Sequence, residues 1–307
     1  MTLFAAIDCG SNSTRLLISD HRGVAIERQL RVTRLGEGVD SGRRLLPAAM
    51  ERTLDAVTEF AGMIDAHEVD HVVAIATSAV RDSDNRDEFR GRVAKALNTD
   101  LRILTGEEEG LLTYAGATSG LESPPYFVVD IGGGSTELAL GRPALATGVD
   151  VLSLDAGCVR ITEQFLHSDP YSAAELANAF AAVEAMMLEV TAVLPMGRPA
   201  PSLVGVAGTI TSLAAMDLGL TRYERVRTHH HVLLRQSVEE LFRSLAGQTE
   251  VERASDPTMA EKRSDVIVGG TVVLLGLMRH FGFHECLVSE TDILDGLVSD
   301  AISQKTT

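Results

Sequence analysis

Tryptophan is absent, and tyrosine and phenylalanine are scarce at 4 and 9 among 307 residues. Any core must therefore be aliphatic, and a hydrophobic content of 45% is enough for a sizeable one. Cysteine is sparse too. Cys9, Cys158 and Cys286 lie too far apart for a metal pattern or a disulfide framework, which points to a reducing cytoplasm. Positive charge is short: 27 lysines and arginines face 43 aspartates and glutamates, for a net charge of −16. That balance disfavours nucleic acid or a membrane surface as partner, and it obliges a polyanionic substrate to rely on local basic residues. Long hydrophobic runs are lacking as well. Val266 to Met278 is too short to span a bilayer and reads as a buried helix. The start, MTLFAAIDCG, reaches Asp8 too soon for a signal peptide.

What is present is a doubled motif. Tyr126 to Val129 reads as a strand buried on both faces; Asp130, Gly132, Gly133, Gly134, Ser135, Thr136 and Glu137 follow, then a second apolar run. Near the start, Phe4 to Ile7 leads into Asp8, Cys9, Gly10, Ser11, Asn12, Ser13 and Thr14, again before an apolar run. Both copies read Asp-x-Gly-x-x-Ser-Thr. Glycine lets backbone N–H groups turn toward a ligand, and successive exposed N–H groups form an anion site. An aspartate just ahead of such a loop would repel phosphate unless a divalent cation such as Mg²⁺ (or Mn²⁺) lies between them. A strand follows each loop, which argues against a dinucleotide fingerprint, and no lysine stands where a P-loop places one. The repeat predicts two similar α/β lobes, 1–123 and 124–307, divided near Gly120 and Pro124-Pro125, each presenting one phosphate hairpin to a common cleft.

Other candidates lie between and beyond the hairpins. A helix is expected to start at Pro47, a strand over His71 to Ala76, and a strand over Leu145 to Leu154. Arg81 follows the end of a strand, where α/β folds place ligand contacts, although Asp82 or Asp84 are alternative partners. In TGEEEG, Thr105 and Glu108 form a capping box, leaving another glutamate available as a general base; helix physics does not choose among Glu107, Glu108 and Glu109. Gly208 and Thr209 open a helix whose N–H groups suit phosphate, with Thr209 as a plain N-cap the alternative. Two basic clusters, around Arg28 to Arg44 and Arg222 to Arg235, suit a long anionic chain or an ordinary surface. The run His229 to His231 has no acid or cysteine at metal spacing.

Taken in order, DCGSNST, TSAVRD, TGEEEG, VVDIGGGSTEL, GCVR, VAGTIT and RSDVIVGG resemble the exopolyphosphatase and guanosine pentaphosphate phosphatase family over nearly the whole chain. The resemblance implies two ribonuclease-H-like lobes of the actin-like ATPase superfamily around a central cleft, in the short two-domain form. It implies that Glu109 is the catalytic base, with Glu137 also implicated. Gly10 to Ser13 and Gly132 to Ser135 would hold terminal phosphates, faced by Arg81. Asp8, Asp130 and Glu137 would hold the metal. The substrate implied is inorganic polyphosphate, with guanosine pentaphosphate or a nucleoside triphosphate as the alternative and a homodimer as the expected assembly. A small-molecule kinase and a non-enzymatic nucleotide sensor share the fold. One departure stands near the C-terminus, where the family's usual Gly-Leu-Arg-Glu-Gly is replaced by Asp292-Ile293-Leu294-Asp295-Gly296.

Overall fold

The structure, a computed structural model, describes residues 2–122, 125–141, 148–194, 196, 201–259 and 263–306. Its first compact unit comprises Met1–Gly116 and Asp292–Thr307. Strands β1 (Leu3–Cys9), β2 (Ser13–Asp20), β3 (Ala25–Val32), β4 (His71–Ala76) and β5 (Leu101–Ile103) form its sheet in the order β3-β2-β1-β4-β5. Short turns make β1, β2 and β3 antiparallel neighbours, whereas β4 and β5 return through helices and lie parallel to β1. Pro47 begins the helix Pro47–Ala66, since its missing N–H is one the first turn leaves unbonded in any case.

Successive β1 side chains point to opposite faces of the sheet, and both faces are buried. Ala5, Ile7 and Cys9 pack on Leu54, Val57 and Phe60 of the helix Pro47–Ala66, and on Phe89 and Val93 of the helix Arg86–Leu97. Phe4 and Ala6 point the other way, with Leu17 and Ile75, onto Ile293, Leu294, Leu297 and Val298. The helix Ile293–Thr306 is thus the cover of this second face, and the expected division at 1–123 and 124–307 is corrected there. Asp292–Thr307 belongs to the first unit, because without it that apolar face would meet water. The chain passes between units at Gly116 and Ala117; the expected boundary residues 123 and 124 lie outside the described residues.

The second unit, Ala117–Thr291, repeats the plan. Its strands are β6 (Tyr126–Ile131), β7 (Thr136–Gly141), β8 (Val149–Leu154), β9 (Ser202–Val206), β10 (Val232–Leu234) and β11 (Glu285–Val288), in the order β10-β11-β9-β6-β7-β8. Read from β8 to β11, order and direction match the first sheet, the ribonuclease-H-like pattern, and β10 adds an antiparallel edge. The expected strand from Leu145 begins at Val149 among the described residues; 145–147 lie outside them.

The apolar run from Val266 forms the helix Ile267–His280, buried along most of its length. Against it packs Ala173–Val193, capped by Ser172 and Glu175, through a seam containing Ala179, Val183, Met187 and Val190. By length and composition alone, Ala173–Val193 could cross a membrane. That seam gives its apolar character a packing role inside the unit.

Candidate active site

Both hairpins turn identically. Gly10 N–H donates to the Ser13 carbonyl at 3.1 Å, and Gly132 N–H to that of Ser135 at 3.0 Å. What aims the loop amides is a set of donors behind them. In a trans peptide the C=O of one residue and the N–H of the next point in opposite directions. In the first turn Gly36 N–H holds the Ser11 carbonyl at 2.8 Å, and Thr33 and Arg34 N–H hold that of Asn12 at 3.1 and 3.0 Å. The Asn12 and Ser13 N–H groups are therefore directed away from this backing.

In the second turn the donors come from the start of the helix Cys158–Phe165. Cys158 N–H bonds the Gly132 carbonyl at 2.9 Å, Val159 and Arg160 N–H bond Gly133, and Gly157 N–H bonds Gly134 at 3.2 Å. Gly133, Gly134 and Ser135 N–H are left with no backbone acceptor among the described residues, the arrangement expected of an anion nest.

The carboxylates beside the two turns differ. Asp8 lies opposite Arg15 across β1 and β2, and its Oδ2 accepts from Arg15 Nε at 3.0 Å and Nη2 at 2.5 Å. Arg15 also pairs with Asp292. The other oxygen, Asp8 Oδ1, is buried without a hydrogen-bond partner. Burial pushes the Asp8 carboxyl above its ordinary pKa, against the pull of Arg15 and with a smaller push from Asp292. In the second hairpin the place of Arg15 is taken by Glu137, opposite Asp130 across β6 and β7. Both acids are buried, and Ser153 on β8 donates to Glu137 Oε1 at 2.8 Å.

The first-turn residues share a sheet edge with the glutamate cluster. Parallel strands β1, β4 and β5 deliver Gly10, Thr77 and Leu104 to the same end of the sheet. Ser11 Oγ lies 2.9 Å from Ser78 Oγ and accepts from Ala79 N–H at 3.2 Å, tying the loop to the turn Ser78–Arg81.

Glu107, Glu108 and Glu109 then separate by helix geometry. Glu108 completes the box with Thr105, its Oε2 accepting from Thr105 N–H at 2.8 Å; that bond leads in holding its carboxyl below the ordinary range. Glu107 is exposed. Glu109 alone of the three is buried, 7% exposed, and Arg81 Nη1 donates to its Oε2 at 3.1 Å and to the Leu104 carbonyl at 3.1 Å. Asp82 is a looser neighbour of Arg81 at 3.7 Å. The helix Gly106–Ala117 is fixed at its far end, where Gly116 and Gly296 let it approach Ile293–Thr306 until a Cβ on either glycine would strike backbone.

Gly208 and Thr209 stand in the helix Ala207–Asp217, but Val206 is its N-cap; Thr209 is buried and packs against Gly270. The N-cap alternative for Thr209 is thereby corrected. Gly208 is open so that the Arg263 guanidinium can lie across the helix start. Reading the turns alone misses Arg263, because nothing local links it to Gly208.

The two basic clusters are largely engaged by acids. Arg28 pairs with Asp295, Arg31 with Glu59, Arg225 with Glu290 and His231 with Asp217. His229 and His230 stack with ring centroids 3.8 Å apart. In the divergent segment, Asp292 and Asp295 bind Arg15 and Arg28 while Leu294 is buried in the core. Aliphatic packing thus takes the place of the arginine that the resemblance would put at position 294.

Two ribonuclease-H-like units, each with a backed amide turn beside buried carboxylates, define a phosphoryl-transfer enzyme. The chain belongs to the Ppx/GppA phosphatase family, whose model matches residues 17–305, and its chemistry is the hydrolysis of phosphoric anhydrides. Exopolyphosphatase 2 of Mycobacterium tuberculosis is 39% identical over 315 aligned positions, covering 97% of this chain and 98% of that protein. A guanosine-5'-triphosphate,3'-diphosphate pyrophosphatase of Aeromonas hydrophila is 29% identical, over 96% of this chain and 58% of its own length. The crystal structure of an exopolyphosphatase-like protein superposes with a TM-score of 0.94 at 34% identity, covering 99% of this chain and all of that one.

Proposed function

We propose that the protein is an exopolyphosphatase that releases the terminal phosphate of inorganic polyphosphate. The observation that carries this is Glu109: the one buried member of its cluster, held by Arg81 at the same sheet edge as the first amide turn. Glu109 draws a proton from water as the water oxygen attacks the terminal phosphorus. The P–O–P bond breaks, and the electron pair leaves with the shortened chain. Arg81 orients the Glu109 carboxylate. In each unit taken by itself, the turn supplies N–H groups suited to stabilising charge on phosphoryl oxygens: Asn12 and Ser13 in the first, Gly133, Gly134 and Ser135 in the second.

Magnesium or manganese is the proposed cofactor. No cluster of three or more metal-binding side chains occurs among the described residues, but Mg²⁺ takes only one or two carboxylates and fills its shell with water and phosphate. The donors fit: Asp8 Oδ1 is a buried oxygen with no partner, and Asp130 and Glu137 are buried acids on facing positions. Asp8 in the first unit, and Asp130 with Glu137 in the second, are the residues that would hold the ion, which would neutralise phosphate charge when bound. A reducing cytoplasm is the proposed setting, in keeping with three buried free thiols.

The identity to Exopolyphosphatase 2 over nearly all of both chains favours polyphosphate over guanosine pentaphosphate. Phosphate release measured side by side on polyphosphate, guanosine pentaphosphate and ATP tests that order. Glu109→Gln is expected to lower turnover by about 10²–10⁴-fold with little change in substrate binding. Weakened binding at unchanged turnover would assign Glu109 to structure instead.

A further inference from the structure

The first turn is backed by a strap, Thr33 to Glu37, and the strap is itself held from behind. Arg52, on the helix Pro47–Ala66, donates from Nε to the Thr33 carbonyl at 2.9 Å, and from Nη2 to the Arg34 carbonyl at 3.4 Å and Glu37 Oε2 at 2.8 Å. These bonds run through peptide planes. The Thr33 carbonyl held by Arg52 belongs to the same peptide as the Arg34 N–H, which donates to the Asn12 carbonyl. That carbonyl in turn belongs to the same peptide as the Ser13 N–H. Arg52 therefore fixes the orientation of a loop amide through two intervening peptide groups. Arg34 carries a left-handed backbone, φ 49°, between the two carbonyls that Arg52 holds. Such a conformation in a non-glycine residue needs outside support. The Thr14 and Thr33 hydroxyls, buried and 3.0 Å apart, attach the strap to β2 but leave its carbonyls to Arg52.

We propose that Arg52 is a positioning residue for the first phosphate-holding turn; this rests on the reading that the turn binds phosphoryl oxygens. It is a planar double donor spanning two adjacent carbonyls and a carboxylate, which a lysine cannot reproduce. Arg52 is partly exposed, so its replacement is compatible with folding. The test compares Arg52→Met, Arg52→Lys and, as a control for lost surface charge, Arg92→Met, whose arginine pairs with Glu51.

Two quantities are read well below each variant's melting temperature: amide hydrogen exchange of residues 10–14 in the free protein, and kcat and KM on polyphosphate. Arg52→Met is expected to speed exchange at the turn and to lower kcat/KM about 10- to 100-fold, as for a small misplacement of binding groups. Arg52→Lys should recover part of this, and Arg92→Met should match wild type. Unchanged exchange, or unchanged kcat/KM per folded molecule, in an active enzyme overturns the role of Arg52. A wild-type protein inactive on polyphosphate and guanosine pentaphosphate overturns the functional reading instead, whatever the exchange shows.

Discussion

The two hairpins are one backbone solution carrying different charge. Each places an aspartate ahead of a glycine turn and holds the turn's carbonyls from behind. Across the strand pair, however, Asp8 faces Arg15 whereas Asp130 faces Glu137. The first aspartate has its counterion within the chain and keeps one oxygen over. The second has another acid opposite it on the neighbouring strand. Backing distinguishes the turns as well: a strap with left-handed Arg34 supports one, and a helix start supports the other.

Between the hairpins, the largest expected effect comes from changing the charge that sets them apart. Glu137→Gln should lower turnover by about 10²-fold, as for loss of one electrostatic stabiliser, and should move the Mg²⁺ dependence to higher concentration. A magnesium titration that does not shift would break the proposal that Glu137 helps to hold the ion.

Next comes the backing. A Cβ on Gly157 would fall on the Gly133 carbonyl, and backbone would have to move; a Cβ on Gly36 would meet the Ser11 Cβ at 3.0 Å, where a slight shift suffices. Gly157→Ala is thus expected to cost about 1–3 kcal/mol from overpacking and to lower kcat/KM, with Gly36→Ala milder in both. Thermal melts and kinetics of the pair check this, and equal effects would show the two supports to be equally yielding.

The smallest effect concerns Asp8 in the metal-free protein. Its folded pKa is raised, so the protonated form favours the fold. That contribution is complete below the unfolded pKa near 3.8 and is lost as pH rises through the higher folded value. Asp8→Asn, which mimics the protonated acid, should therefore melt close to wild type in acid and above it at neutral pH. A gap that stays constant or narrows with rising pH would mean that Arg15 offsets the burial of Asp8 completely.

Local patterns made much of this molecule legible in advance. Both turns, the Thr105–Glu108 box and the buried character of Val266 to Met278 follow from spacing and propensity, and the structure contains all three. Choosing Glu109 from its neighbours required either the family resemblance or its burial, since adjacent helix positions differ only in what they face. Long-range partners left no local trace. The pairing of Arg15 with Asp292, the reach of Arg52 to the strap and the Arg263 guanidinium over Gly208 each join segments that nothing between them connects. Thr209 shows the same limit, since a threonine near a helix start looks like a cap until a neighbouring glycine is seen packed on its hydroxyl.

The helix Ile293–Thr306 has a consequence for biogenesis. Ribosomal synthesis makes β1 long before this helix, and the face of β1 carrying Phe4 and Ala6, which Leu104 and Leu112 cover in part, is completed only when Ile293, Leu294, Leu297 and Val298 emerge. This sheet is thus fully sealed only after the strands of the second unit have been made. Throughout that interval the nascent chain carries an open greasy surface of the kind that chaperones shield.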